Sequence, residues 1–289
     1  MSFEPRSLLF VPSNRPDRFE KAAASGADAV ILDLEDSVGV SQKSESRANL
    51  ALAAELTIKA GLAVYVRVNA VDTEWHADDV AAATRIGARG IVVPKCEDPD
   101  VVEEIERNLA ALEPSTNALE IVLILETARG ILTAERLSRP GNRPRRISFG
   151  AYDFALDMGV KIEASGALLS IARAQIALAA KAAGIQAIDT AFADIRDTQA
   201  LRAQTEEALG LGFTGKFVIH PGQVAAVNSA FSPDAAEIES ARRICDAFRE
   251  AERRGIAAIT VDDKLVDYPI ALRSQAILAR AEQFGTPSS

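Results

Sequence analysis

The sequence predicts an α/β fold of the (β/α)8 type, a TIM barrel, followed by a C-terminal helical extension. Its 289 residues match the usual size of one eight-fold barrel with a tail. Short β-branched runs recur along the chain, and each is followed by a longer, Ala-rich amphipathic stretch. That alternation is typical of consecutive βα units around a parallel sheet. The alternative, a doubly wound open sheet, usually has fewer strands, and no G-x-G-x-x-G opens the first helix.

Eight apolar runs are predicted as strands because they are short and are bounded by Gly, Pro or charged residues. They are Ser7–Val11, Ala29–Leu34, Ala63–Val68, Gly90–Val93, Glu120–Leu125, Arg146–Phe149, Ala187–Asp189 and Lys216–Ile219. The stretches that follow them repeat apolar residues at helical spacing and are predicted as helices. These are Pro16–Ser25, Gln42–Ala60, Trp75–Ile86, Asp98–Leu112, Ala128–Leu137, Gly166–Ala183, Thr198–Leu209 and Pro221–Phe231.

The residues after the eighth βα unit are predicted to form an appendage to the barrel. Asp234–Arg254 is predicted as a long helix with a polar face, Gly255–Thr260 as a short extended piece and Pro269–Phe284 as a final helix. The predicted division is therefore a catalytic barrel over 1–232 and a helical extension over 233–289.

Composition excludes several classes of function. A formal net charge of −9 argues against a nucleic-acid-binding surface, which needs clustered Lys and Arg. The apolar runs are short and interrupted by charges, so no membrane span is expected. The N-terminus shows no secretory signal, so a cytoplasmic location is expected, with Cys96 and Cys245 as free thiols. A small anionic ligand remains compatible if a metal or a few arginines supply local positive charge.

Polar residues cluster where the predicted strands end, the face on which barrel enzymes build their active sites. They are Asp33, Glu35 and Asp36 after strand two, Arg67 and Asn69 at strand three, Lys95 after strand four, Glu126 at strand five, Asp153 after strand six and His220 at strand eight.

Glu126 and Asp153 follow neighbouring strands, so their carboxylates are expected to meet at the barrel mouth. Two hard oxygen ligands with open positions suit Mg²⁺, and Mn²⁺ would also fit. The alternative is a structural ion pair with Arg67 or Lys95. Spacing alone leaves both readings open.

Each basic residue at the strand ends also has two possible roles. Arg67 either clamps an anionic substrate group or pairs with Glu126. Lys95 is either a Schiff-base lysine or a partner of the carboxylates of strand two or five. His220 is either a general base or a packed residue that contacts a ligand. The arginine-rich stretch from Arg136 to Arg146 is either a solvated loop or a binder of phosphates.

Nine ordered motifs run along nearly the whole chain. They are Arg6–Pro16, Asp33–Val38, Val66–Asn69, Val93–Lys95, Glu126–Gly130, Gly150–Phe154, Gly212–Lys216, Ile219–Pro221 and Lys264–Pro269. Together they resemble the citrate lyase β-subunit-like proteins, with the malyl-CoA and citramalyl-CoA lyases, in the wider group of metal-dependent barrel aldolases. One departure is Ser13, where that family more often has glycine.

The resemblance implies a magnesium site made by Glu126 and Asp153, with Arg67 as the arginine that clamps the substrate. The carboxylates after strand two would hold metal-bound waters and orient this arginine, and they are Asp33, Glu35 and Asp36.

The resemblance also implies where the substrate binds. The backbone amides of Gly150 and Ala151 would hold the carboxylate of a keto-acid fragment. A groove for CoA, as part of the substrate, would use residues near strands one and eight: Phe10, Arg15, Lys21 and His220.

Asp267 resembles the catalytic aspartate that the malyl-CoA lyase branch delivers from a neighbouring subunit, which implies a trimer-based homo-oligomer. The implied activity is a lyase that cleaves or forms a small 3-hydroxyacyl-CoA, giving acetyl-CoA and a 2-keto acid. By itself, Asp267 would be an ordinary surface carboxylate.

Two alternatives within enzymes are a malyl-CoA-type thioesterase and the β-subunit of a citrate lyase that acts on an acyl-carrier protein. Co-purifying small subunits, or activity on free CoA thioesters alone, would separate them. A catalytically silent barrel with an assembly role is the alternative outside enzymes, and absence of metal binding would favour it.

Overall fold

Eight parallel strands close into a barrel in which each strand pairs with the next and β8 returns to β1. The structure, a computed structural model, describes residues 3–112, 118–139, 141, 143, 145–162 and 166–284. The chain divides into two compact units, Met1–Asn228 and Ser229–Ser289, so the boundary predicted after residue 232 falls inside the second unit. The closed parallel barrel confirms the predicted (β/α)8 architecture.

All eight predicted strands are present. Their bounds are β1 Ser7–Pro12, β2 Ala29–Asp33, β3 Ala63–Arg67, β4 Gly90–Val93, β5 Glu120–Leu125, β6 Arg145–Phe149, β7 Ala187–Asp189 and β8 Gly215–Val218.

The helices of the first unit follow the predicted order with two differences. The predicted helix Ala128–Leu137 is broken at Thr133, and a helix of seven residues after β6 was not predicted. The bounds are α1 Phe19–Ala23, α2 Lys43–Lys59, α3 His76–Arg85, α4 Pro99–Leu112, α5 Ala128–Leu132, α6 Ala134–Ser138, α7 Ala151–Asp157, α8 Gly166–Ala183, α9 Thr198–Leu211 and α10 Pro221–Phe231, which continues into the second unit.

Alternate residues of each strand fill the barrel interior, because successive side chains of a strand point to opposite faces. The packed interior is Leu8, Ala29, Ile31, Tyr65, Val92, Val122, Ile124, Ile188 and Phe217. The side chains between them pack outward against the helices, as buried Val30 and Val66 do. These parallel strands are therefore apolar on both faces, which explains their continuous apolar runs.

The amino end of the barrel is closed by a buried polar cluster around Glu120, the first residue of β5. The Glu120 carboxylate pairs with Arg146 and, at 2.9 Å, with Arg89. It also accepts a hydrogen bond of 2.6 Å from the hydroxyl of Tyr65. The negative charge of the Glu120 carboxylate is therefore compensated by side chains of the same chain.

One helix of the barrel layer is long and apolar enough, by length and composition alone, to cross a membrane, although the sequence led us to expect none. It is α8, a third of whose apolar window is buried. Within it Arg173 pairs with the buried Asp189 of β7 at 3.0 Å and with Glu207 at 2.8 Å. These pairs tie the centre of α8 to β7 and α9 of the barrel.

The second unit contains two helices and a hairpin. They are α11 Ala235–Arg253, β9 Ile259–Val261, β10 Lys264–Val266 and α12 Tyr268–Gln283. Asp262 and Asp263 link the strands and both have positive φ, as a type I′ turn requires. This hairpin corrects the single extended piece predicted over Gly255–Thr260. Phe248 and Val266 form part of the unit's small apolar core.

Candidate active site at the carboxyl end of the barrel

Three interior rows of side chains end on charged residues at the carboxyl end of the barrel. The rows continue from Ile31 to Asp33 in β2, from Tyr65 to Arg67 in β3 and from Ile124 to Glu126 after β5. Because a strand alternates its faces, the residue two positions beyond an interior residue points the same way. The charged groups therefore face the mouth of the barrel.

On one side of the mouth, which we call the paired side, Arg67 is held by Asp33 and Glu35. Its Nε and Nη2 donate to the two Asp33 carboxylate oxygens, both at 2.7 Å, and its Nη1 lies 3.0 Å from Glu35 Oε2. Burial raises the pKa of Asp33, but Arg67 outweighs it and the pKa lies below its ordinary value. The guanidinium also stacks on Phe10, 4.7 Å from the ring centre. Arg67 is thus fixed and charged.

Behind the paired side lies a buried network that the sequence analysis missed. Lys43 of α2 donates to the carbonyl oxygens of Leu34 and Glu35 at 2.7 and 2.8 Å and to Asn69 Oδ1 at 2.6 Å. Asp79 of α3 accepts from the backbone amide of Asn69 at 2.9 Å. These bonds fix the loops that carry Glu35 and follow Arg67.

On the other side, which we call the open side, Glu126 and Asp153 have no cationic partner among the described residues. Glu126 is almost fully buried, and its Oε1 accepts one hydrogen bond of 2.8 Å from the Lys95 amide. Burial and the nearby Asp153 carboxylate raise the pKa of Glu126 to about 8. The two carboxylates therefore lie together without an ion pair, and the more distant Arg67 offsets their charge only in part.

This donor set fits a hard divalent cation. Among the described residues no group of three or more His, Cys, Asp or Glu could hold a metal by itself. Glu126 and Asp153 would supply two oxygen ligands, which suits Mg²⁺ because it usually keeps several waters and recruits substrate oxygens. The predicted alternative, a structural ion pair of Glu126 with Arg67, is not formed, since Arg67 pairs with Asp33 and Glu35.

Gly150 explains how Glu126 is covered. A Cβ built on Gly150 would lie 2.3 Å from Glu126 Oε2, so only glycine allows the chain to pass this closely. Gly150 and Ala151 are also the residues whose amides were expected to hold a substrate carboxylate. Both amides already donate, the first to the Leu125 carbonyl and the second to Thr190 Oγ1, each at 3.1 Å.

Lys95 bridges the two sides. Its amide binds Glu126, as above, and its Nζ donates to Glu35 Oε1 at 3.1 Å. Burial lowers the pKa of Lys95, but Glu35 and Asp36 outweigh it and hold the pKa above its ordinary value. A Schiff-base lysine needs a neutral amine, so this environment opposes that reading. The pairing with a strand-two carboxylate, the other reading, is formed.

A cavity of about 490 Å³ opens between the carboxyl ends of β1 and β8. Its lining includes three residues predicted for CoA binding, namely Phe10, Lys21 and His220. Nδ1 of His220 accepts a hydrogen bond of 3.0 Å from the Gly222 amide, which fits a packed residue that contacts a ligand.

A second cavity, of about 860 Å³, lies away from these strand ends, and the arginine-rich stretch contributes to its lining. Arg145 pairs there with Glu106 at 2.5 Å, and Arg139 pairs with Glu135 at 3.1 Å. Of the predicted loop, Pro140, Asn142 and Pro144 lie outside the described residues. This cavity does not reach Glu126 or Asp153, so we do not assign the chemistry to it.

Asp267 lies in the second unit, where it caps helix α12. Its Oδ1 accepts a hydrogen bond of 3.3 Å from the Ile270 amide. Asp267 as a residue is half-buried. N-capping alone is a sufficient structural reason for an aspartate at this position.

Comparison with known proteins places this geometry in context. Residues 6–221 match the family model described as HpcH/HpaI aldolase/citrate lyase. The chain is 31% identical to the citrate lyase subunit beta of Leuconostoc mesenteroides, over 96% of this chain and 93% of the relative. It is 35% identical to a (3S)-malyl-CoA thioesterase of Cereibacter sphaeroides, over 96% of this chain and 94% of the relative.

Solved structures of similar proteins also include citrate lyase beta subunits. The CitE protein of Mycobacterium tuberculosis, in complex with magnesium, acetoacetate and coenzyme A, superposes with a TM-score of 0.78 and 30% identity, covering 96% of this chain and 98% of that one. The citrate lyase beta subunit from the same organism, complexed with oxaloacetate and magnesium, gives a TM-score of 0.65 and 31% identity, covering 78% and 96%.

Proposed function

The chain belongs to the HpcH/HpaI aldolase/citrate lyase family, and from that premise we propose that it is a magnesium-dependent carbon–carbon lyase. Its substrate is a small 3-hydroxyacyl-CoA such as malyl-CoA or citramalyl-CoA, which it cleaves to, or forms from, acetyl-CoA and a 2-keto acid. The observation that carries the proposal is the open side of the mouth, where buried Glu126 faces Asp153 without a cationic partner among the described residues.

Glu126 and Asp153 would hold Mg²⁺, with Mn²⁺ as a substitute. When bound, the ion supplies Lewis acidity toward the hydroxyl or keto oxygen and compensates the two carboxylates. The magnesium complexes of the M. tuberculosis relatives support this assignment.

Arg67 would stabilise negative charge that develops on the substrate oxygen. In cleavage the 3-hydroxyl group loses its proton and the C2–C3 bond breaks. The products of this step are a 2-keto acid and the enolate of acetyl-CoA, which must then be protonated. Asp33 and Glu35 hold the guanidinium in place at 2.7 and 3.0 Å. A charge fixed in advance needs no reorganisation during the reaction.

Asp267 would donate the proton to the methyl carbon of acetyl-CoA, and take it in the reverse direction. We assign it to the active site of a neighbouring subunit, within a trimer-based homo-oligomer. The large apolar side chains exposed near it in the second unit support an interface: Leu265, Tyr268, Ile270 and Leu272. On the first unit, Leu132, Leu156 and Ile171 are also exposed.

Mixed oligomers test this arrangement. Asp267→Ala and Glu126→Ala should each be inactive alone, while co-expressed chains should regain part of the activity because some sites combine an intact Glu126 with an intact Asp267 from a neighbour. Light scattering gives the subunit number. No regained activity in mixed oligomers would contradict delivery between subunits.

The cavity between β1 and β8 would take the CoA portion of the substrate, with Phe10 beside the acyl group and Lys21 toward the phosphates. A cytoplasmic location and small-molecule partners go with this proposal. We propose no nucleic-acid or membrane partner.

A second candidate is hydrolysis of the thioester, because the Cereibacter relative is a (3S)-malyl-CoA thioesterase at 35% identity. A third candidate is the role of a citrate lyase β-subunit, the name of the Leuconostoc relative. The substrate would then be a carrier-protein thioester. Product identity separates these, since cleavage yields acetyl-CoA and hydrolysis yields free CoA.

The test is release of acetyl-CoA from malyl-CoA, citramalyl-CoA and citryl-CoA, with Mg²⁺ and with EDTA. Wild type should cleave one of them only with the metal, Glu126→Ala should not, and Glu55→Ala, at an exposed glutamate of α2, should match wild type. Release of free CoA alone would replace the lyase by a thioesterase. Absence of both products with metal bound would favour a carrier-protein substrate or a silent barrel.

A further inference from the structure

Lys95 has a backbone conformation that lysine rarely adopts. Its φ is +55°, in the left-handed region that favours glycine. The other described non-glycine residues with positive φ are Asp262 and Asp263, in the tight hairpin turn of the second unit. Glycine would adopt this backbone conformation with less strain. The presence of lysine at the end of a barrel strand therefore indicates that its side chain has a function.

The side chain of Lys95 is the accessible cation of the mouth. It is 44% exposed, against 15% for Arg67, whose three nitrogens already face Asp33 and Glu35. Lys95 Nζ contacts only Glu35 Oε1 among the described residues. Since an ammonium group has three N–H donors, two remain for a ligand.

A substrate carboxylate at this mouth needs such a donor. The Gly150 and Ala151 amides, expected to bind it, already donate to Leu125 and Thr190. The Lys95 amide binds Glu126, so the lysine side chain begins beside the open side. Lys21, by contrast, lines the cavity between β1 and β8.

We propose that Lys95 binds the carboxylate of the keto-acid portion of the substrate, and that this contact selects acidic 3-hydroxyacyl thioesters over neutral ones. The inference rests on the proposed function and adds a specificity residue to it. The left-handed backbone turns the residue so that its amide holds Glu126 while its ammonium reaches the mouth.

The experiment measures binding by calorimetry, with pyruvate at saturating Mg²⁺, and separately with CoA and with Mn²⁺. Lys95→Met should weaken pyruvate binding by ~10- to 100-fold, the loss of one charge-assisted hydrogen bond, while CoA and Mn²⁺ affinities stay near those of wild type. Lys95→Arg should restore part of the pyruvate affinity. The matched control, Lys21→Met, should weaken CoA binding and leave pyruvate binding unchanged.

Lys95→Gly separates function from structure. If the side chain is retained for substrate, Lys95→Gly should keep or raise Tm, because strain is relieved, and should still lose pyruvate affinity. Pyruvate binding by Lys95→Met equal to wild type overturns this inference alone. A wild-type chain that binds Mn²⁺ but neither pyruvate nor any of the thioesters overturns the proposed function, and this inference with it.

Discussion

A glutamate lies at each end of strand β5, and the two glutamates have opposite surroundings. Glu120, at the amino end, is compensated by Arg89, Arg146 and the hydroxyl of Tyr65. Glu126, just beyond the carboxyl end, receives one backbone hydrogen bond and faces Asp153. The first arrangement stabilises the barrel. The second leaves a carboxyl group whose ionised form has no ion pair until a cation binds, which distinguishes a functional carboxylate from a structural one.

The largest expected effect is on the pH dependence of stability without metal. The pKa of Glu126 is raised from 4.5 to about 8 by burial and Asp153. The folded state then binds a proton that the unfolded state has released, so the free energy of unfolding should fall as pH rises from 4.5 to 8, by up to about 5 kcal/mol. Urea unfolding in EDTA across this range measures it.

Glu126→Gln is the control for that titration, because it cannot ionise. Its stability should lack this fall and should exceed that of wild type at pH 8. Saturating Mg²⁺ should remove the fall from wild type as well, since the ion favours the carboxylate form. Parallel pH profiles for wild type and Glu126→Gln in EDTA would show that Glu126 is not the group responsible.

At the other end of the strand, Glu120→Ala should destabilise the fold by about 3–5 kcal/mol, because it leaves the buried Arg146 without its carboxylate. Urea unfolding at pH 7 in EDTA gives the value. The remaining folded enzyme should bind Mn²⁺ as wild type does. A loss below about 1 kcal/mol would mean that the cluster at the amino end contributes little.

Gly150→Ala should disturb the open side by about 1–3 kcal/mol, the usual cost of overpacking. The new Cβ would meet Glu126 Oε2 at 2.3 Å, so Mn²⁺ affinity should fall together with Tm. Gly166→Ala is the matched control, since nothing lies within 4 Å of its added Cβ. Equal behaviour of the two variants would contradict the close contact at Gly150.

The smallest effect should come from Tyr65→Phe, which removes the hydroxyl that donates to Glu120 at 2.6 Å. We expect a loss of about 1 kcal/mol in the free energy of unfolding, typical of one hydrogen bond, with unchanged kcat. A change in kcat without a change in stability would link the amino end of the barrel to the chemistry.

Much of this fold could be predicted from the sequence, because parallel barrel strands are short apolar runs separated by amphipathic helices. Strands β4, β5 and β7 have the predicted bounds, four others differ by one residue at one end, and β8 is shifted by one residue at both ends. Helix α7 was missed because seven residues give too little periodicity, although Ala151, Phe154 and Ala155 are its buried residues. The hairpin was missed because Asp-Asp is a weak turn signal compared with Asn-Gly.

The sequence also predicted that charged residues lie at the mouth, but it did not predict which of them pair. Which cation neutralises which carboxylate depends on side-chain directions across neighbouring strands, and spacing along the chain does not encode these. Lys43 and Asp79 were missed because a charged residue on a surface helix is normally solvated. The alternation of interior residues, from Ile124 to Glu126 for example, is a signal that could have identified inward-facing charges earlier.

The most direct test of the account is Mn²⁺ binding at pH 8, measured by calorimetry on wild type, Glu126→Gln and Asp153→Asn, with Tyr65→Phe as the control at the amino end. The account predicts one ion per chain for wild type and Tyr65→Phe, and a loss of affinity of at least ~100-fold for the two open-side variants. Wild-type affinity in Glu126→Gln would contradict the claim that Glu126, the glutamate just beyond β5 without an ion pair, is a metal ligand.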